Sequence, residues 1–286
     1  MAWKKGDDEI VEQFKPKTEL VDDEPVVRSS SDSGELTFDF DEQEDVGQKK
    51  EIFTVYGSKN SGKTSTSYGI PHANDKVLVL SFDKKSTRPK DAKYITGANL
   101  TIHVIDAIKF LDKSDDKKYL DSAVLTHKFI ISMLNQAKEK FAPDWVMFDG
   151  TEVMNGLMEL VMRSHNNLKP YQGIANRSLW RERRQYLDDL HMKAVEVASK
   201  GVIYTMYSTK DDIVEEGNTI KKTDVPKWIG NIMEETDMVI NTYVKSENGK
   251  NVFYAKIEGS KLPDSYPDEV YNVTNKRLRD LVGKSN

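Results

Sequence analysis

Eight residues, Gly57-Ser58-Lys59-Asn60-Ser61-Gly62-Lys63-Thr64, follow a run of apolar and β-branched residues and match the spacing G-x-x-x-x-G-K-S/T. A chain that wraps closely around a phosphate needs glycine at its turn points, so that successive backbone N–H groups can point inward unobstructed. Lys63 then reaches the β- and γ-phosphates, and Thr64 offers its hydroxyl to Mg²⁺. Ser65 follows in the first turn of the next helix, whose N-terminal dipole faces the same anion. The ligand this spacing predicts is a nucleoside triphosphate with Mg²⁺. ATP is the expected nucleotide.

The second half of such a site is a carboxylate at the end of another buried strand. Asp149, after Trp145-Val146-Met147-Phe148, meets that description and is the candidate metal ligand beside Thr64. Hydrolysis also requires a group that orients or deprotonates water. Two acids compete for that role. Asp83 ends the run KVLVLSF, and Glu152 stands three residues beyond Asp149, where it equally serves as a favourable first-turn charge on a helix. With Lys63 they form the candidate catalytic set. Ser208 and Lys210, at the end of a fifth apolar run, are candidate γ-phosphate sensors, and Lys210 could also reach a neighbouring subunit's nucleotide; an ordinary polar strand end is the plain alternative.

These residues need strands to present them. EIFTVY (51–56), KVLVLSF (76–82), LTIHVI (100–105), DWVMFD (144–149) and GVIYTMY (201–207) are mostly apolar on both faces, as expected of a parallel sheet covered on each side. Helical spacing appears in 122–141, which stops before Pro143, in 152–162 and in 178–199. The alternation predicts an α/β doubly wound domain over 49–286. MVINTYV and NVFYAKIEG, joined across Asn248-Gly249, predict a C-terminal β-hairpin. The polar stretch 209–231 reads as a long mobile loop.

Charge is segregated along the chain. Residues 1–48 carry 15 acidic and 5 basic side chains, a balance of −10, which leaves 32 against 37 elsewhere, a balance of +5. The first 48 residues read as a disordered acidic tail, with LTFDFDEQED as a candidate docking peptide or nucleic-acid mimic. The body is suited to a polyanionic partner. Lys169, Arg177, Arg181 and Arg184, interleaved with Tyr171 and Trp180, suit single-stranded nucleic acid, whose phosphates pair with cations and whose bases stack on flat rings. A solvated helix face is the alternative. Lys221, Lys222, Lys227 and Trp228 in the long polar stretch, and Lys84, Lys85 and Arg88 after Asp83, are further candidate contacts. The five scattered histidines show no metal-ligand spacing, and the absence of cysteine fits an intracellular, cytoplasmic chain. No apolar run is long enough to span a bilayer, and the first residues lack the apolar core of a secretory signal.

With YGSKNSGKTS, VLVLSFD and WVMFDG in this order, the sequence resembles the RecA-like ATPase cores of phages and archaeal viruses, which include minimal recombinases and single-strand annealing partners. The likeness covers about residues 50–265. It implies an ATPase that acts on DNA in recombination, annealing or replication, and a homo-oligomer whose sites are completed by a neighbour. It also implies a catalytic Glu just after the Asp that ends the second strand, where this chain has Asp83-Lys84-Lys85 instead. That departure keeps a nucleotide-gated binder with weak hydrolysis in view. The Arg181-Glu182-Arg183-Arg184 run keeps a small-molecule kinase with an arginine lid in view.

Overall fold

In the computed structural model, the residues described are 49–83, 92–215, 218–227, 232–261 and 268–282. The chain divides into two units, Met1–Val46 and Gly47–Asn286, and all of the described residues belong to the second. The acidic tail, Lys84, Lys85, Arg88 and Trp228 lie outside the described residues.

Strand β1 (Glu51–Gly57) alternates its side chains between two cores. Ile52 and Tyr56 enter one, and Phe53 and Val55 the other. A strand buried on both faces is stable only between two layers. After β1 come α1 (Lys63–Tyr68), β2 (Lys76–Ser81), α2 (Lys93–Thr96), β3 (Thr101–Asp106), α3 (Asp116–Lys140), β4 (Trp145–Asp149), α4 (Thr151–His165) and α5 (Arg177–Val197). Next are β5 (Gly201–Glu215), β6 (Asn218–Pro226), α6 (Ile232–Glu235), β7 (Met238–Glu247), β8 (Lys250–Ser260) and β9 (Val270–Asn272). The sheet runs β3-β2-β4-β5-β1-β7-β8-β9, with β6 paired to β5. Pairing is parallel from β3 to β7 and antiparallel from β7 to β9. This is the expected doubly wound, mostly parallel sheet with its C-terminal hairpin. Asn248 and Gly249 both adopt positive φ at the hairpin turn.

Helices α3, α4 and α5 cover one face, where Leu134, Met158 and Leu190 pack against Leu80, Val146 and Val202. On the other face, Tyr68, Ile70, Ile95 and Leu278 pack against Val55, Val79 and Ile203. α3 starts six residues earlier than its apolar spacing predicts. Asp115 accepts from the Lys118 N–H at 2.8 Å, and this cap starts the helix on the polar Asp116-Lys117-Lys118, ahead of Tyr119 and Leu120, which pack against the core. α5 is tied to the sheet by His191, whose Nδ1 lies 2.6 Å from the Tyr204 hydroxyl while its Nε2 lies 2.7 Å from Glu235. No described helix is long and apolar enough to cross a membrane.

The stretch 209–231 corrects one expectation. Most of it is not a loop. β5 runs on past the sheet and returns as β6, antiparallel from Ser208 opposite Pro226 to Glu215 opposite Asn218, with a register shift between Ile213 and Val214. A charged ribbon pairs through its backbone, so it lacks the apolar alternation that marks a buried strand.

Candidate active site

β1 ends at Gly57, which sits in register with Tyr207 of β5 on one side and Thr242 of β7 on the other. The fit is tight. A Cβ on Gly57 would strike the Thr242 carbonyl and lie 2.5 Å from Ser61 Oγ. The Thr242 hydroxyl donates to the Tyr56 carbonyl at 3.0 Å, so its 2.8 Å contact with Ser61 uses the Ser61 proton. Ser61 is thereby buried, while Ser58, Lys59 and Asn60 arch into solvent. Asn60 (φ 63°) and Gly62 (φ 91°) turn the backbone through the left-handed region into α1. The Phe253 ring of β8 fills the space where a Gly62 side chain would go. The result is a cradle that admits backbone and excludes side chains.

Lys63 folds back onto this cradle. Its Nζ donates to the Ser58 carbonyl at 2.7 Å and the Gly57 carbonyl at 3.1 Å, and stands 4.3 Å from the Tyr207 ring centroid. Burial pulls the Lys63 pKa down, opposed by the negative charges of Glu152, Asp149 and Asp83. All three predicted acids therefore converge on the predicted lysine.

Asp149 lies buried at the end of β4. The Thr64 hydroxyl donates to its carboxylate, 3.1 Å from Oδ1 and 3.3 Å from Oδ2. Thr205 of β5 donates to Oδ1 at 2.6 Å and accepts from the Gly150 N–H at 3.0 Å. One proton and one occupied lone pair fix the direction of that hydroxyl. The Thr151 hydroxyl donates to the Thr205 carbonyl at 2.7 Å, pinning the start of α4 to β5. Glu152 lies in the first turn of α4, and its carboxylate accepts from the Tyr207 N–H. Asp83 is exposed beyond β2, its carbonyl taking the Ser81 hydroxyl. Phe82 N–H bonds the Asp149 carbonyl at 2.8 Å, holding the ends of β2 and β4 together.

Among the described residues, no three His, Cys, Asp or Glu side chains gather to cage a metal. The donors present are Thr64 and Asp149, oxygen ligands beside a phosphate cradle. That set fits Mg²⁺, which binds one or two protein oxygens and fills its other positions with phosphate and water.

A family model described as AAA domain matches residues 49–273, a span that holds the cradle and all three acids. The chain belongs to the AAA domain family. This AAA domain is thus an ATP-binding protein of the phosphate-loop type. Among solved structures it is similar to a KaiC-like protein, PH0186, from the hyperthermophilic archaeon Pyrococcus horikoshii. Identity is 10% and the TM-score 0.41, over 78% of this chain and 84% of that one. No curated protein matches it.

The remaining candidates of the AAA domain fall elsewhere. Ser208 opens the β5–β6 hairpin one residue past Tyr207. Lys210 makes a 2.8 Å ion pair with Asp224 across that hairpin. Lys221 and Lys222 lie on β6, opposite Ile213 and Asp212. On α5, Arg177, Arg181 and Arg184 are exposed at spacings that place them on one face, beside half-buried Trp180. Lys169 is exposed in the preceding loop. Two other arginines of that stretch hold the structure. Arg163 is buried, bonded to Glu159 at 2.7 Å and to the Gln172 carbonyl at 2.6 Å. Arg183 pairs with Glu159 and lies 4.6 Å from the Trp180 ring. Sequence reasoning missed Thr205, Tyr207, Thr242 and Phe253. Each acts on a group more than 50 residues away, and none stands in a recognisable motif.

Proposed function

We propose that the chain is a Mg²⁺-dependent ATPase that acts on nucleic acid, single-stranded DNA first, in recombination, annealing or replication. The observation that carries the reading is the Thr64–Asp149 contact at 3.1 Å beneath a cradle closed to side chains. Thr64 and Asp149 would hold the Mg²⁺, whose charge would offset that of the phosphates. Lys63 exchanges the Gly57 and Ser58 carbonyls for phosphate oxygens, a trade of neutral acceptors for charged ones. Glu152 or Asp83 takes the proton of the attacking water, and hydrolysis yields ADP and phosphate.

The polymer joins through the hairpin. Tyr207 touches Lys63 with its ring and Glu152 with its N–H, and Ser208 after it opens the β5–β6 ribbon that bears Lys221 and Lys222. A lysine drawn onto phosphate leaves the Tyr207 ring, so nucleotide state and ribbon position are linked. The exposed Arg177, Arg181 and Arg184 stripe offers a second phosphate contact. A homo-oligomer and a partner for the acidic tail belong to the same reading. One observation favours a nucleotide-gated binder with slow turnover instead: Glu152 is already engaged by the Tyr207 N–H.

ATP turnover with and without single-stranded DNA tests the proposal. Stimulation by DNA that fades with salt, and weakens in the triple variant R177A/R181A/R184A, is expected. DNA-independent turnover that requires a small phosphoryl acceptor refutes it in favour of a kinase, and nucleotide binding without turnover refutes it in favour of the binder. Lys63→Ala should abolish every ATP-dependent effect.

A further inference from the structure

The cradle has two unlike flanks. β5, β4 and β2 lie on one side of β1 and bring Thr205, Asp149, Glu152 and Asp83; β7 and β8 lie on the other. The acids gather around Lys63, so the reacting end of a triphosphate belongs on their side. A linear ligand held at its middle by the loop, with its reacting end among those acids, has the opposite flank open to its other end. Phe253 stands there.

Its position is built. A Cβ on Gly62 would lie 2.9 Å from Phe253 Cδ1, so ring and loop are in contact. The Phe253 N–H donates to Thr274 Oγ1 at 2.8 Å, and its carbonyl accepts from the Val273 N–H at 2.9 Å. Phe253 packs against the core cluster of Val55, Tyr68 and Ala255 yet stays half-buried beside the loop. Core packing alone explains an inward ring. It does not explain a ring laid against a glycine that shapes the phosphate loop.

We propose that Phe253 forms the nucleoside end of the site, stacking a purine base, so that the site selects nucleoside triphosphate over inorganic polyphosphate. The proposal rests on the loop being the nucleotide site. Base–aromatic stacking is sequence-tolerant because every base has a π-face, and a purine offers the larger one.

Calorimetric titration of the full chain with Mg²⁺ and either a non-hydrolysable ATP analogue or inorganic tripolyphosphate tests it. Wild type should bind the ATP analogue more tightly. Phe253→Leu keeps apolar volume and removes the π-face. It should lose about tenfold in affinity for the analogue and change tripolyphosphate affinity less than about twofold, while Phe253→Tyr stays near wild type. Equal losses for both ligands would mean that the ring supports the loop and binds no base; no loss for either would also overturn the proposal. Wild type that binds neither ligand would remove the nucleotide site itself, an outcome distinct from a change in Phe253→Leu alone.

Discussion

Thr205→Val removes one hydroxyl and almost no volume, at the point where β5 holds the candidate metal ligand. Two bonds go with it: the 2.6 Å donation to Asp149 Oδ1 and the 3.0 Å acceptance from the Gly150 N–H. Thr205 and Asp149 are 2% and 4% exposed, so water cannot replace either bond without opening the sheet end. A hydrogen bond to a charged group contributes about 1.5–3 kcal/mol, and a stranded buried N–H costs about 1–3 kcal/mol. The two overlap, because one hydroxyl serves both, and about 2–4 kcal/mol is the expected loss. For a unit of this size that lowers Tm by roughly 5–10 °C. Asp149 then loses the 2.6 Å Thr205 donation and keeps the longer one from Thr64, and the carboxylate can rotate off the metal position. The Mg²⁺ concentration for half-maximal ATP turnover should rise about tenfold, which corresponds to about 1.4 kcal/mol of lost ligand alignment. Thr205→Ser keeps the hydroxyl and should hold both readouts near wild type. Differential scanning calorimetry and Mg²⁺ titrations of turnover measure them. A valine variant with wild-type Tm and wild-type Mg²⁺ requirement, or a serine variant that falls as far as valine, would refute the reasoning.

Gly62→Ala should weaken triphosphate binding by about tenfold or more, since φ 91° strains any L-residue and the new Cβ meets Phe253; calorimetry on Mg·ATP reads this. Asp83→Asn and Glu152→Gln should differ: the acid that takes the proton should cost about 10²–10⁴-fold in kcat and the other far less, and two variants within tenfold of wild type would remove both from that role. His127 is held neutral mainly by burial, with its pKa pushed below the ordinary 6.5. Below 6.5 the unfolded chain takes up the proton first, so stability is full above that value and falls as the pH drops through the lower folded pKa. Thermal melts from pH 7.5 to 5 should show this decline, and His127→Phe should flatten its share.

The features legible in the sequence were local. Apolar runs placed five strands within a residue or two, except that β5 continues to Glu215; in β1, β2, β4 and the sheet portion of β5 burial on both faces leaves a dense apolar signature whatever the strand order, while edge strand β3 is only half-buried. The cradle was legible because its glycines are a backbone requirement, visible without knowing the neighbours. Asp149 was legible as a charge at the end of such a run. The hairpin of β5 and β6 was not, because its strands pair with each other through the backbone, which leaves no apolar run in so charged a stretch. Nor were Thr205, Thr242 and Phe253. A threonine within an apolar strand reads as β-propensity, and only the sheet order aims it at a carboxylate or at a loop serine. The tie between Asp83 and Glu152 persists for the same reason. Sequence separates them by 69 positions, while the fold sets both in the field of one lysine.

The strand order also decides how the site can communicate. β5 lies between the loop strand and the Asp149 strand, so one element touches both halves: Thr205 opposite Asp149, and Tyr207 opposite Gly57. Up to Thr205 this strand is held by ladders on both sides, and neighbours about 4.8 Å away leave little lateral freedom. Beyond Tyr207 its paired partner among the described residues is β6 alone. A force applied at Tyr207, by Lys63 leaving its ring or Glu152 leaving its N–H, meets a clamped strand on one side and, on the other, a two-stranded ribbon tied back to β1 where the Tyr56 hydroxyl donates to the Asp224 carbonyl at 3.2 Å. Past Tyr207 the ribbon has a ladder on one side only among the described residues, so less restoring force opposes its displacement than opposes that of β5 within the sheet.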